Sequence, residues 1–202
     1  MNFPSGRHEI WVVRLLQAGL AAIAGYGLVR GETGILVNGG LGLAVTFVPA
    51  LLRRDAGVAL PTGYVVWIAL AVFLHAVGVL GPYRQYPWYD AVTHGLSASI
   101  VAGVGYATVV AIDRNSEQTT LGSELRFVFV LIFVLALGVS WEILEFAVGL
   151  VGGKSVLVQY GLDDAINDLV FNTVGGLVVA AWATPRPQEA ADTLSETVEE
   201  NS

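Results

Sequence analysis

Six apolar stretches dominate the sequence, and each is about as long as a membrane is thick. They lie near residues 11–29, 34–52, 62–81, 90–112, 127–150 and 164–184, with short connectors between them. A helix of about 20 apolar residues crosses a hydrocarbon core of roughly 30 Å. Since 54% of the residues are hydrophobic and 13% are charged, little sequence is left for a water-soluble domain. We therefore predict an all-α, multi-pass bundle of six transmembrane helices, forming one domain over residues 1–184.

The two ends of the chain differ from this pattern. Residues 185–202 begin Pro-Arg-Pro and carry five acidic residues against one Arg, which predicts an acidic, disordered cytoplasmic tail. The formal net charge of −7 disfavours a nucleic-acid partner. At the other end, Ala22-Ile23-Ala24 resembles a signal-peptide cleavage site. Because Arg14 interrupts that apolar run, a retained first helix is the favoured interpretation.

The positions of the basic residues predict an orientation. If both termini are cytoplasmic, the inner side carries seven of them and the outer side three. The inner set is Arg7, Arg14, Arg53, Arg54, Arg114, Arg126 and Arg186, and the outer set is Arg30, Arg84 and Lys154. This excess favours an N-in/C-in protein of the cell membrane, with lipids as its surroundings.

Ionisable residues within the apolar stretches are the best indicators of function, because a charge near the bilayer centre costs a few kcal/mol or more. Asp90 and His94 stand four residues apart in the fourth stretch, so they share one helix face. This spacing suits metal ligation or acid–base catalysis. The alternative is an Asp90 that only caps the helix beside a hydrogen-bonded His94.

The fifth stretch places Glu142 and Glu145 on one face of an apolar helix. Two such carboxylates repel each other unless they are protonated or bind a cation. We interpret both as metal ligands, with a purely structural hydrogen-bonding role as the alternative.

The sixth stretch carries Asp164, Asp168 and Asn172 at intervals of four residues, so they form one stripe along the helix. Asp163 and Asp164 could cap the helix, but Asp168 lies a full turn deeper. We predict Asp164 and Asp168 as metal ligands and Asn172 as a supporting residue.

His75 in the third stretch is a second supporting candidate, since its depth matches that of the acids. The alternative for His75 is an ordinary hydrogen bond between helices. Tyr83, Tyr86, Trp88 and Tyr89 resemble an aromatic belt at the membrane interface.

With 1.5 Å rise per residue, these groups all fall in the outer third of the bilayer. Convergence would put five carboxylates beside at most two imidazoles, and such an excess needs retained protons or a cation. An oxygen-rich set of this kind suits Mg²⁺, Mn²⁺, Ca²⁺ or non-haem iron, and Zn²⁺ is also compatible, so the identity of the metal stays open. The chain has no Cys, which excludes a thiolate site. A divalent metal is therefore the expected cofactor.

The motifs Tyr89-Asp90 with His94, Trp141-Glu142 with Glu145, and Asp164 with Asp168, Asn172 and Gly175 resemble the YjdF-like (DUF2238) family of polytopic membrane proteins. They are more distantly similar to VanZ-like proteins, which carry an Asp-x-x-x-His helix and a closing Asp-x-x-x-Asn-x-x-Gly helix. The resemblance covers roughly residues 64–180. It implies a multi-span membrane protein with this polar site, and it implies no particular reaction.

Three functions fit the sequence. The first is a metal-dependent membrane enzyme acting on a lipid or isoprenoid head group, with Asp90 and His94 as catalytic residues. The second is a proton- or cation-coupled transporter that uses the same carboxylates. The third is a non-catalytic scaffold or accessory protein in which the polar groups join helices.

Overall fold

The computed structural model describes residues 7–115, 121–152, 156–157 and 161–183, and the regular structure in these ranges is all helical. Eight helices follow one another along the chain: α1 (Arg7–Arg30), α2 (Thr33–Val45), α3 (Val48–Asp55), α4 (Thr62–Val79), α5 (Pro82–Gln85), α6 (Pro87–Asn115), α7 (Ser123–Gly152) and α8 (Leu162–Ala183). The tail predicted at 185–202 lies outside the described ranges.

Within the described ranges, six helical segments are long and apolar enough to cross a membrane, which confirms the predicted number of spans. They are His8–Arg30, Thr33–Asp55, Thr62–Val79, Trp88–Asp113, Ser123–Val151 and Leu162–Trp182. Their surfaces carry many exposed large apolar side chains, such as Trp182 and Val178. In a bilayer these side chains contact lipid, and the helical segments pair most of their backbone N–H and C=O groups internally.

The second span is not the continuous helix that we predicted over 34–52, because it breaks into α2 and α3 at Thr46 and Phe47. Pro49 lies in the first turn of α3. Because it has no backbone N–H, it cannot donate the hydrogen bond that would continue the helix from α2. The Thr46 hydroxyl donates to the Leu43 carbonyl at 2.6 Å and accepts a hydrogen bond from Gln17 at 3.0 Å. Gln17 on α1 thus holds the break in place.

Two groups of three helices make up the bundle. In the N-terminal group, α1, α2 and α4 pack on one another around Leu20, Ile23 and Ala76. In the C-terminal group, α6, α7 and α8 pack around a cluster of Ala98, Ala102, Val130, Val134 and Ala180. Contacts between α4 and α6 join the two groups.

Helices α6 and α8 approach each other closely at Gly95 and Gly175. A Cβ atom added to Gly175 would lie 2.4 Å from the Gly95 carbonyl oxygen, so this contact requires glycine. Small residues of this kind allow helix backbones to meet where no hydrophobic force drives them together. The contact lies beside His94 and therefore fixes the distance between the polar residues of the two helices.

One end of the bundle carries the Gly31–Glu32 turn, the segment 80–86 and the connection from α7 to α8, and we call it the site end. Asn38 near the start of α2 donates a hydrogen bond to the Val156 carbonyl at 2.9 Å, which ties that connection to the N-terminal group. The short helix α5 also lies here, where we predicted only a connector. Its Tyr83 is buried and anchors the segment to α4 and α6.

Candidate metal centre

Helices α6 and α8 bring three potential metal ligands together near the site end. One ligand atom each from Asp90, His94 and Asp168 lie within 4.8 Å of one another. His94 Nε2 is 3.5 Å from an Asp90 carboxylate oxygen and 3.5 Å from one of Asp168. All three side chains are largely buried. We call Asp90, His94 and Asp168 the three-ligand group.

The spacing in this group fits a shared cation. Metal–ligand bonds measure about 2.0 to 2.6 Å, so two ligands of one cation stand no more than about 4 to 5 Å apart. At 3.5 Å, the contacts of His94 are longer than charge-assisted hydrogen bonds of about 2.7–2.9 Å. Ligand oxygens of Asp90 and Asp168 also lie within 4.8 Å of each other, and two carboxyl groups this close favour a retained proton or a bound cation.

Asn172, which we predicted as a supporting residue from its place on the stripe of α8, lies beside His94 of this group. It is buried and forms a side-chain hydrogen bond with His94. A partner of this kind orients a histidine ligand. Gly138 on α7 makes room for it, since a Cβ atom there would lie 2.9 Å from the Asn172 amide nitrogen. Sequence reasoning missed Gly138, because an isolated glycine in an apolar helix carries no signal of its own.

Glu142 on α7 is buried, and neither of its carboxylate oxygens has a hydrogen-bond partner among the described residues. A buried carboxylate without hydrogen bonds is costly unless it is protonated or beside a cation. Glu142 interacts electrostatically with Asp90 and Asp164. The carboxyl group of Glu142 therefore lies near those of Asp90 and Asp164.

The remaining predicted ligands lie around this group but not within it. Glu145 is buried and receives a hydrogen bond from the Trp141 side chain. Asp164 lies in the first turn of α8 and is half-buried. Asp168 interacts electrostatically with four carboxyl groups, those of Asp90, Asp164, Glu142 and Glu145. The structure thus gathers all five acids into one region and brings two of them to a histidine.

His75, the second supporting candidate, takes part in a separate hydrogen-bond network. Its Nε2 atom lies 3.0 Å from the Asn38 side-chain oxygen, and its Nδ1 atom lies 2.8 Å from the Tyr83 hydroxyl. The Tyr83 hydroxyl is also 3.2 Å from the hydroxyl of Thr93, which donates to the Asp90 carbonyl at 2.8 Å. The structure therefore places His75 between helices, in the hydrogen-bonding role that was its alternative.

The hydrogen bonds of Asn38 assign the tautomer of His75. The Asn38 amide donates to the carbonyls of Gly34 and Val156, so only its oxygen faces the imidazole. A neutral His75 therefore carries its proton on Nε2 and accepts a hydrogen bond from Tyr83 at Nδ1. Burial raises the pKa of the Tyr83 hydroxyl above its ordinary value, which keeps that proton in place.

Placing Tyr83 in an interfacial belt was wrong. Tyr83 packs edge-on against His75 and Tyr89, and the Tyr89 hydroxyl donates to the Leu74 carbonyl at 2.9 Å. Tyr86 and Trp88 are exposed, as a belt requires. Tyr83 and Tyr89 thus differ from Tyr86 and Trp88 in their burial. The sequence does not show this difference, because it does not indicate which aromatic rings point into the protein.

A cavity of about 540 Å³ lies between the two helix groups and reaches His94 of the three-ligand group. His94, Thr93, Asn172, His75 and Asn38 line its polar end. The rest of its wall is mainly apolar and includes Ile68, Val101 and Val134. The arrangement places a ligand-sized apolar space directly beside His94.

The sequence of this chain matches one family of known proteins. The family described as predicted membrane protein (DUF2238) matches the chain over residues 12–188. No curated protein and no solved structure matches the chain significantly. The matched range contains all six spans, apart from the first residues of α1. It also contains the whole three-ligand group. The chain therefore belongs to the DUF2238 family of membrane proteins.

Proposed function

We propose that this protein is a divalent-cation-dependent membrane enzyme that acts on a lipid or isoprenoid head group. The observation that carries the proposal is the three-ligand group, in which ligand atoms of Asp90, His94 and Asp168 lie within 4.8 Å of one another, close enough to share one cation. The buried and unpartnered Glu142 is the second support. Carboxylate oxygens and one imidazole suit Mg²⁺, Mn²⁺, Ca²⁺ or non-haem iron, with Zn²⁺ also compatible.

In this proposal Asp168 is a cation ligand, and Asp90 and His94 act as ligand and acid–base group. A divalent cation held by these residues would supply the general chemistry of metal ions in hydrolytic sites, which is to polarise a phosphoryl oxygen or to lower the pKa of a bound water. Glu142, Glu145 and Asp164 supply the negative charge that holds the cation. Asn172 keeps the His94 ring oriented.

The orientation is part of the same proposal. The excess of Arg at the opposite end of the bundle favours N-in/C-in insertion in the cell membrane, which places the site end at the outer leaflet. Reporter fusions after residue 183 and in the segment 80–86 test this placement. We expect a cytoplasmic reporter to be active at the first position and an exported reporter at the second.

Metal content and membrane lipid composition test the enzyme directly. The wild type is compared with two variants, Asp168→Asn and Asp163→Asn. Asp163→Asn is the control, because it removes an exposed acid from the first turn of the same helix. The wild type should purify with about one divalent cation per chain, and its expression should alter a lipid species. Asp168→Asn should lose both effects and Asp163→Asn neither. A wild type without metal, together with an unchanged lipid profile in Asp168→Asn, would reject the enzyme.

A second candidate is a proton- or cation-coupled transporter, which the buried and unpartnered Glu142 also favours. Transport requires polar groups that continue to the far end of the bundle. The deep wall of the cavity is instead apolar, at Ile68, Val101 and Val134, and for this reason we rank the transporter second. Cation-dependent flux in liposomes that Glu145→Gln abolishes would reverse that order. A stable, metal-free protein with neither activity would indicate a scaffold.

A further inference from the structure

The cavity beside His94 opens sideways toward lipid. One edge of the opening is formed by Leu41 and Val45 of α2, and the other by Leu137 and Leu144 of α7. All four side chains line the cavity and are also exposed. Helix α7 packs on α6 and α8, and α2 packs on α1 and α4. The gap between α2 and α7 is therefore a lateral entrance at membrane depth.

The two ends of the cavity differ in polarity along α6. Thr93 and His94 lie at one end, and Ile100 and Val101 lie at the other. At 1.5 Å per residue, about 10 Å of helix separates His94 from Val101. A molecule in this space meets hydrogen-bonding groups at the site end and an apolar wall toward the middle of the bundle.

We propose that this cavity binds the single apolar chain of a lipid phosphate, which enters from the bilayer between α2 and α7. The chain lies against Ile68, Val101 and Val134, and the phosphate lies at the three-ligand group. This inference rests on the proposed function and names its substrate class.

Three observations select this occupant. The surroundings of the entrance are lipid tails, so an apolar chain is the molecule that reaches it. Helices α4 and α6 are in contact and both line the cavity, so a chain that enters between α2 and α7 meets their side chains inside. The acids beside His94 repel a phosphate unless a cation intervenes, and a cation with three protein ligands keeps positions open for phosphate oxygens, as Mg²⁺ sites commonly do.

Photolabelling in phosphatidylcholine nanodiscs tests the proposal with three diazirine-bearing probes. Farnesyl monophosphate and lysophosphatidic acid distinguish isoprenyl from acyl chains, and farnesol lacks the phosphate. With Mn²⁺ present, we expect at least one phosphate probe to label Ile68, Val101 or Val134 in preference to lipid-facing Val104 and Val178. Labelling by that probe should fall when Mn²⁺ is removed and should exceed labelling by farnesol.

Two variants of α6 separate cavity binding from bulk lipid contact. Ser97 lines the cavity, so Ser97→Phe should reduce labelling of the deep residues by about tenfold, the factor that ~1.4 kcal/mol of lost binding gives. Val104→Phe adds the same ring on an exposed part of the helix outside the cavity and should leave labelling unchanged. Competition by unlabelled farnesyl monophosphate or lysophosphatidic acid on the wild type gives the same information without a variant.

Several results would overturn the inference. Equal labelling of cavity and lipid-facing residues, equal labelling by farnesol, or no effect of Ser97→Phe and of competitor would each do so. Crosslinks from the cavity to a second protein chain would show that a protein segment fills it instead. Cation-dependent labelling of the cavity with no change in any lipid species would support chain binding while rejecting the proposed reaction, so the two failures are distinguishable.

Discussion

The Nε2 atom of His94 on α6 lies 3.5 Å from a carboxylate oxygen of Asp168 on α8. The whole of α7 separates the two residues along the chain, and the glycine contact between Gly95 and Gly175 holds their helices together. The same His94 nitrogen is equally close to Asp90. One nitrogen cannot donate its single proton fully to both carboxylates, and the cation that we propose between the three side chains would relieve their repulsion.

The glycine contact should control both stability and the metal centre. Gly175→Ala places a Cβ atom 2.4 Å from the Gly95 carbonyl oxygen, and such overpacking costs ~1–3 kcal/mol. We expect a lower unfolding temperature in detergent and weaker cation binding. Gly40→Ala is the control, because nothing lies within 4 Å of its added Cβ. Equal stability of Gly175→Ala and the wild type would refute the role of this contact.

Asn172 should tune cation affinity through His94. Removing the side chain in Asn172→Ala frees the imidazole ring, and loss of such a partner lowers metal affinity by about 10- to 100-fold. Isothermal titration with Mn²⁺ measures the change. Asn167→Ala is the matched control, since Asn167 lies on the same helix and is exposed. Unchanged affinity in Asn172→Ala would show that the hydrogen bond does not orient a ligand.

Much of this architecture could be predicted from the sequence, because apolar length and four-residue spacing are local properties. The six spans and the sharing of a helix face by Asp90 and His94 follow from them. Contacts between residues of different helices do not follow from these local properties, because they depend on how each helix is rotated about its axis. That rotation brings Asp168 to His94, leaves Glu142 and Glu145 beside the group, and turns His75 toward Asn38 and Tyr83. The break at Thr46 was missed because its signal, Pro49, is a single residue in an apolar run.

Tyr83 should contribute to folding rather than to catalysis. Tyr83→Phe removes a hydroxyl that donates a hydrogen bond to the His75 imidazole, and an unsatisfied buried partner costs ~1–3 kcal/mol. We expect a lower unfolding temperature with unchanged cation stoichiometry. Tyr86→Phe changes an exposed tyrosine of the same segment and should be neutral. A loss of cation in Tyr83→Phe at full stability would instead connect the His75 network to the metal centre.

Glu142 should have opposite effects with and without the cation. In chelator-treated protein, Glu142→Gln removes one negative charge from an acidic region, so this variant should unfold at a higher temperature than the wild type. A bound cation stabilises the wild type by ~2.7 kcal/mol at 100 times its dissociation constant, and Glu142→Gln should gain less. Glu124→Gln, at an exposed position of α7, controls for charge. If the cation stabilised the wild type and Glu142→Gln by the same free energy, Glu142 would be excluded from the cation site.

Pulsed electron paramagnetic resonance of the Mn²⁺-loaded protein tests the metal centre most directly, because the nucleus of a coordinated nitrogen modulates the electron spin echo of the ion. We predict one Mn²⁺ per chain with a single imidazole coupling that disappears in His94→Gln and persists in His75→Gln. A protein that binds no stoichiometric Mn²⁺, or whose nitrogen coupling survives His94→Gln, would contradict a cation held by Asp90, His94 and Asp168.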